Sequence, residues 1–473
     1  MLFSSLEFLF LFIPISLIIY FTVPINWRNA VLFIFSLLFY GWGEPIYILL
    51  MLFTIAADYL CGYFVGKHID TDKRKSRAWL IAAIVINLLL LGVFKYADLV
   101  IGTLALIPAL SSLRPLGLGL PIGISFYTFQ ALSYVIDVYR KDTPAQKNPL
   151  IFGTYVTLFP QLIAGPIVRY RDVESELVSR RSSVALTASG IRTFVAGLCK
   201  KVLLANTMGE LWKSFYETPT DQLSVVGAWL GIICFAFQIY FDFSGYSDMA
   251  IGLGRILGFH FLENFNYPYI ADSITDFWRR WHISLSSWFR EYVYFPLGGS
   301  RVSKLKMFRN LMIVWLLTGL WHGASWNFVL WGVYYGVLLI IEKAFLGKWL
   351  EKIPKVFRHV YTVVFVLIGW WLFVFDGSNE LLTFGAGIEY FKVMLGGSFF
   401  IDGTAVYELV RNLFLIAIMV VAATPYPKKQ FYKLYEKSRI AGIAAACLAV
   451  LGMLLSVAYL VDSTFNPFLY FNF

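Results

Sequence analysis

Four stretches of this chain, Ala78–Phe94, Val225–Phe241, Val360–Phe375 and Ile440–Val461, contain no Asp, Glu, Lys or Arg. A helix needs about 20 mostly apolar residues to cross the hydrocarbon of a bilayer, with about 17 as the short limit. No water reaches a backbone there, so such stretches must close their own hydrogen bonds as helices. Composition agrees: 14% of the 473 residues are charged, against about 25% in soluble domains. Mean hydropathy is +0.69. We read an all-α, multi-pass integral membrane protein, a single domain over residues 1–473 without a convincing internal repeat. Leu6–Pro24 is a further span with Glu7 at its edge. It lacks a basic leader and a small-residue cleavage site, so it is expected to be retained.

The net charge of +10 would suggest nucleic acid for a soluble protein. Here the basic residues sit in short loops between apolar runs, which is a topology signal, and no nucleic-acid partner is expected. The loops 67–77, 301–309, 348–358 and 428–439 are placed on the cytoplasmic side. Segment 208–222, with Glu210, Glu217 and Asp221 against Lys213, is placed outside as a loop, and both termini fall outside with it. The scheme closes only if some segments do not cross. Phe152–Ile167 is expected to enter and return, and Leu99–Leu118, broken by Pro108 and Pro115, to lie at the interface. Broken elements at membrane depth need protein or a cavity around them. Cys61, Cys199, Cys234 and Cys447 show no metal or disulfide spacing and read as small core residues.

His322 lies in Thr318-Gly319-Leu320-Trp321-His322-Gly323-Ala324-Ser325-Trp326-Asn327, with apolar sequence on both sides. A titratable ring at that depth loses its water and is by default a functional-site candidate. Gly319 and Gly323 allow close approach of other groups or a bend. A second polar block follows the Val225–Phe241 span: Asp242 to Asp248, then Asn264-Phe265-Asn266, then Asp276-Phe277-Trp278-Arg279-Arg280-Trp281-His282-Ile283-Ser284-Leu285-Ser286. Read as one helix, Asp276 meets Arg279 and Arg280, and Arg279 shares a face with His282 and Ser286. Such a block anchors at the interface, lines a passage towards His322, or does both, since the two readings are compatible. Asp242 and Asp248 are expected to pair with arginines or cap helices. His68 and His359 fall in basic loops and are expected to be solvated, His260 is ambiguous, and the five histidines form no metal triad.

In order, these segments resemble the membrane-bound O-acyltransferase (MBOAT) family, and most closely its bacterial alginate O-acetyltransferase branch. The likeness runs from Met1-Leu2-Phe3 through Leu120-Pro121-Ile122-Gly123, Ile163-Ala164-Gly165-Pro166 and Tyr240-Phe241-Asp242-Phe243-Ser244-Gly245. It continues through Glu263-Asn264-Phe265-Asn266 and the Trp278–Ser286 block to Gly319-Leu320-Trp321-His322-Gly323. The resemblance implies a fold of about ten or more transmembrane helices, with re-entrant and interfacial helices around a central tunnel. It makes His322 the catalytic histidine and His282 its companion. Arg279, Trp278, Ser286, Trp321 and Asn327 are the candidate substrate-binding residues.

Acyl transfer needs an activated nucleophile and a stabilised carbonyl oxygen. A buried imidazole favours its neutral form. His322 then either deprotonates an acceptor hydroxyl or carries the acetyl group itself, and His282 or Arg279 orients the acyl group. By resemblance the donor is acetyl-CoA or another cytoplasmic acyl thioester, with no tightly bound cofactor. The acceptor is an exported polysaccharide, reached through an extracytoplasmic acetyltransferase or export machinery at the bacterial cytoplasmic membrane, among membrane lipids. The rivals are D-alanyl transfer to teichoic acid from a carrier protein, a transporter with His322 as gate or proton relay, and a scaffold in an export complex.

Overall fold

The computed structural model describes residues 1–435, 438–463 and 465–469. These residues are helical, with no β-strand among them. We number the elements used below as α1 (Phe8–Thr22), α2 (Ile48–His68), α3 (Lys73–Ala105), α4 (Asn206–Tyr216), α5 (Val225–Leu257) and α6 (Ile274–Arg280). They continue as α7 (Ile283–Phe289), α8 (Lys304–His322), α9 (Trp326–Leu350), α10 (Lys355–Val374), α11 (Gly403–Ala422) and α12 (Ile440–Asp462). Among the described residues, α2, α3, α5, α9, α10, α11 and α12 are long and apolar enough to cross a membrane. α1 is apolar but shorter, and α8 spends its first turns on Lys304, Lys306 and Arg309. The protein is an all-helical, multi-pass membrane protein.

Contacts divide the chain into two compact units, the first Met1–Phe194 with Tyr246–Leu262, the second Val195–Gly245 with the chain from Glu263 on. In the first unit, Asp72 starts α3 by accepting the Arg74 and Lys75 N–H groups at 3.1 and 3.2 Å, an N-cap at the end of a basic loop. The buried Asp58 carboxylate on α2 takes the Asn87 amide of α3 at 2.8 and 3.0 Å, and this hydrogen bonding offsets the burial of both groups. α3 gives way to irregular chain after Ala105, and the 152–167 stretch breaks at Leu158 (φ −48°, ψ 107°) while remaining buried. Residues 99–105 thus continue α3, and the break in the Leu99–Leu118 stretch falls only after Ala105.

In the second unit, α11 and α12 bury only 11% of their most apolar windows, so they turn broad apolar faces to lipid. Several expectations change here. Segment 208–222 is not a plain loop: Met208, Leu211, Trp212 and Phe215 form the buried stripe of α4, and propensity for helix outweighs the acidic residues. Cys447 is exposed on α12 and Cys199 half-buried, so only Cys61 and Cys234 are core residues. Asp242 pairs with Lys201 at 2.8 Å rather than with an arginine. His359 lies within α10 and donates from Nδ1 to the Ala271 carbonyl at 3.0 Å instead of being solvated.

Candidate active site

The Asp276–Tyr292 stretch is two short helices, not one. Ser273 caps α6 by accepting the Asp276 N–H at 3.0 Å. Its remaining first-turn donors find a charged acceptor: Glu342, buried on α9, takes the Ile274 and Thr275 N–H groups at 2.7 and 2.8 Å and the Thr275 hydroxyl at 2.6 Å. The Tyr361 hydroxyl of α10 adds a fourth bond at 3.2 Å. Arg358 of α10 pairs with Asp272 at 3.1 Å just upstream. Asp276 and Arg280 do form the i,i+4 pair expected from spacing, at 2.8 Å.

α6 ends where Trp281 becomes extended (φ −94°, ψ 130°), and His282, opening α7, takes the left-handed conformation, φ 45° and ψ 56°. For a residue with a Cβ this is strained by about 1–3 kcal/mol and persists only where neighbours enforce it. The enforcement comes from Asn264-Phe265-Asn266. The Asn266 N–H donates to the Arg280 carbonyl and the Ile283 N–H to the Asn264 carbonyl, both at 2.9 Å. Asn264 Oδ1 then accepts the Ser284 N–H at 3.2 Å, the Ser284 hydroxyl at 2.9 Å and His282 Nδ1 at 3.1 Å. A backbone N–H only donates, so the atom facing Ser284 and His282 must be the oxygen of the amide. His282 therefore carries its proton on Nδ1, and Nε2 holds the lone pair of the neutral ring. The ring is 1% exposed and stands edge-on to Phe243, with centroids 4.7 Å apart.

His322 is the last residue of α8 and 4% exposed. α8 and α9 cross with their main chains in contact. A Cβ on Gly319 would overlap the Phe328 carbonyl, one on Gly332 the Trp315 carbonyl, and one on Gly323 the Phe328 ring. Close approach, rather than a bend, is what these glycines supply. The His322 imidazole is enclosed by Trp321, Trp331 and Phe373 at 5.1, 5.1 and 5.3 Å between centroids. Trp321 also meets the His282 ring at 5.8 Å, so one indole touches both imidazoles.

Most other candidates gather around this pair. Trp278 is buried against Trp315, Tyr335 and Trp331, at 4.7, 4.8 and 5.3 Å. Ser286 returns its hydroxyl to the Trp278 carbonyl at 3.4 Å. The buried Asn327 amide donates to the Leu372 and Phe373 carbonyls at 3.2 and 3.4 Å, satisfying the open end of α10 that carries Phe373. Arg279 is exposed. The helical spacing that put it on one face with His282 and Ser286 fails because the chain turns at His282. Sequence reasoning missed the roles of Asn264 and Glu342. The signal for Asn264 was an amide on either side of Phe265, and for Glu342 a lone carboxylate ending the apolar run of α9.

Residues 145–384, which include both histidines, Asn264 and Glu342, match the family model of the membrane-bound O-acyltransferases. The chain is 44% identical over 378 residues to a probable alginate O-acetylase of Pseudomonas aeruginosa, covering 79% of this chain and 72% of the relative. It is 32% identical over 533 residues to the peptidoglycan O-acetyltransferase of Helicobacter pylori, covering 100% and 98%. With the teichoic acid D-alanyltransferase of Bacillus subtilis it shares 30% over 272 residues, covering 53% and 68%. An all-helical membrane chain with two buried imidazoles, so related along its length, belongs to the membrane-bound O-acyltransferase family and is a membrane O-acyltransferase.

Proposed function

We propose that this enzyme takes an acetyl group from a cytoplasmic thioester, acetyl-CoA as donor substrate, and passes it across the bacterial cytoplasmic membrane for O-acetylation of an exported polysaccharide. An extracytoplasmic acetyltransferase or the export machinery receives it outside. The names of the relatives support a glycan acceptor. The observation that carries the reading is the pair of buried imidazoles joined through Trp321 in an aromatic enclosure.

Transfer breaks the thioester C–S bond and makes a C–O bond. The hydroxyl proton must leave, and the thiolate must gain one. His322 takes that proton as general base, or its ring nitrogen carries the acetyl group first. Both routes use the lone pair of the neutral ring. The His282 tautomer set by Asn264 makes its Nε2 an acceptor towards the site. His282 thus orients a hydroxyl or relays its proton, rather than donating to the carbonyl oxygen. For that oxygen the buried Trp331 N–H, beside His322 and without a hydrogen-bond partner among the described residues, is a donor. Trp278, Trp321, Ser286, Asn327 and the exposed Arg279 complete the set of substrate-facing or supporting residues.

The test is acyl transfer by membranes holding wild-type protein or His322→Ala, supplied with labelled acetyl-CoA or with an aminoacyl-carrier protein. Acetyl release that needs His322, at equal amounts of inserted protein, supports the reading. Full turnover by His322→Ala overturns the histidine assignment, and exclusive use of the aminoacyl-carrier overturns the acetyl donor. Quenching turnover and searching the His322 peptide for an N-acetyl adduct separates carrier from base.

A further inference from the structure

A cavity of about 640 Å³ lies within the second unit between α5, α10 and α11, and the proposed chemistry does not use it. Its walls are apolar, with Phe237 from α5, Val363 and Leu367 from α10, and Ile416 and Val420 from α11. The polar groups gather at one end. Lys355 and His359 belong to the first turns of α10, and Thr424 follows the end of α11. Twelve residues separate Lys355 from Leu367, about 18 Å of helical rise at ~1.5 Å per residue. One leaflet of hydrocarbon is about 15 Å, half of a core of ~30 Å. The cavity is therefore as deep as a leaflet, apolar through that depth and cationic at its mouth.

The mouth fits a phosphate. Arg358 is neutralised by Asp272, but Lys355 has no acidic partner among the described residues. No side chain caps α10, and Lys355 and Val356, whose amides open the helix, both line the cavity. Amides at a helix start favour an anion when a cation stands beside them. The surrounding loop 348–358 is basic and is placed at the cytoplasmic face, where anionic lipid concentrates positive side chains.

We propose that this cavity holds one phospholipid with an anionic headgroup. One acyl chain lies along α10 and α11, and the phosphate rests on Lys355 and the start of α10. The site adjoins the catalytic segment. Tyr269, which lines the cavity, donates to the Ala236 carbonyl at 2.6 Å and accepts the Trp370 N–H at 3.1 Å. Its ring packs on Phe277 and Trp281, directly before His282. A bound lipid thus braces the wall behind the α6–α7 segment that carries His282.

Native mass spectrometry of the purified full-length protein tests this, with phosphatidylglycerol, phosphatidylcholine and chain-free glycerol phosphate as probes. One equivalent of phosphatidylglycerol should bind at lower concentration than phosphatidylcholine. Lys355→Glu should weaken phosphatidylglycerol by about tenfold, the order expected for reversing one charge at a phosphate, and leave phosphatidylcholine unchanged. Val363→Trp, which fills the cavity, should remove both. Equal binding of the two lipids, an unaffected Lys355→Glu, or binding of glycerol phosphate as strong as that of the lipid would each overturn the proposal. Lys355 is exposed, so its substitution decides the matter even if Val363→Trp does not fold.

Discussion

Asn264 Oδ1 stands 3.1 Å from Nδ1 of His282 and takes two further bonds from Ser284, so one amide sets both the tautomer and the backbone turn of a buried imidazole. Asn264→Leu should lower kcat by about 10²-fold, the loss typical of a reacting group misplaced by about 1 Å, with KM nearly unchanged. Asn264→Asp keeps an acceptor for the same ring nitrogen and should recover most of kcat. Steady-state kinetics on equal amounts of inserted protein checks this. A loss of kcat in Asn264→Asp as large as that in Asn264→Leu would make Asn264 merely structural.

Glu342 has a different task, since it touches neither imidazole but holds the start of the helix that leads to His282. Glu342→Leu strands the Ile274 and Thr275 N–H groups and the Tyr361 hydroxyl in an apolar interior, at about 1–3 kcal/mol for each unmet group. Glu342→Gln retains one carbonyl acceptor and should lose less. Thermal unfolding in detergent should rank wild type above Glu342→Gln and Glu342→Leu last, with activity falling in the same order.

The Lys201–Asp242 pair is buried, at 2.8 Å, and it also ties down the end of the chain. Asp242 Oδ2 accepts the Leu469 N–H at 3.0 Å, and the Lys201 ammonium donates to Asn206 Oδ1 at 2.7 Å and to the Pro467 carbonyl. Lys201→Met alone leaves a buried carboxylate and should cost about 3–5 kcal/mol, while Lys201→Met with Asp242→Leu should regain much of it. Limited proteolysis should cut near Pro467 faster in both variants, because each loses the anchor of that segment.

Much of the fold was legible because hydrocarbon leaves few options. Charge-free runs of sufficient length become helices; α10 and α12 follow them closely, while α3 and α5 run on past theirs to Ala105 and Leu257. His322 was legible for the same reason, as a polar ring where water is absent. The partnership of Asn264 with His282 was not, because it depends on a left-handed residue that helical spacing cannot anticipate. Without that turn, Arg279 is drawn into the site, whereas the structure leaves it exposed. Segment 208–222 is helical only as far as Tyr216, where a buried apolar stripe outweighs the exposed Glu210; Glu217 and Asp221 lie beyond it in the loop that the charge pattern suggests.

The crossing of α8 and α9 at Gly319 and Gly332 is made by main chain on main chain. Side chains around such a joint can be exchanged without altering the spacing of the two axes. The position of His322 at the end of α8 is thus insulated from repacking elsewhere. Engineering of the surrounding aromatic wall, to admit a bulkier acyl group for instance, should change which substrate fits while the His322 imidazole keeps its place at the end of α8.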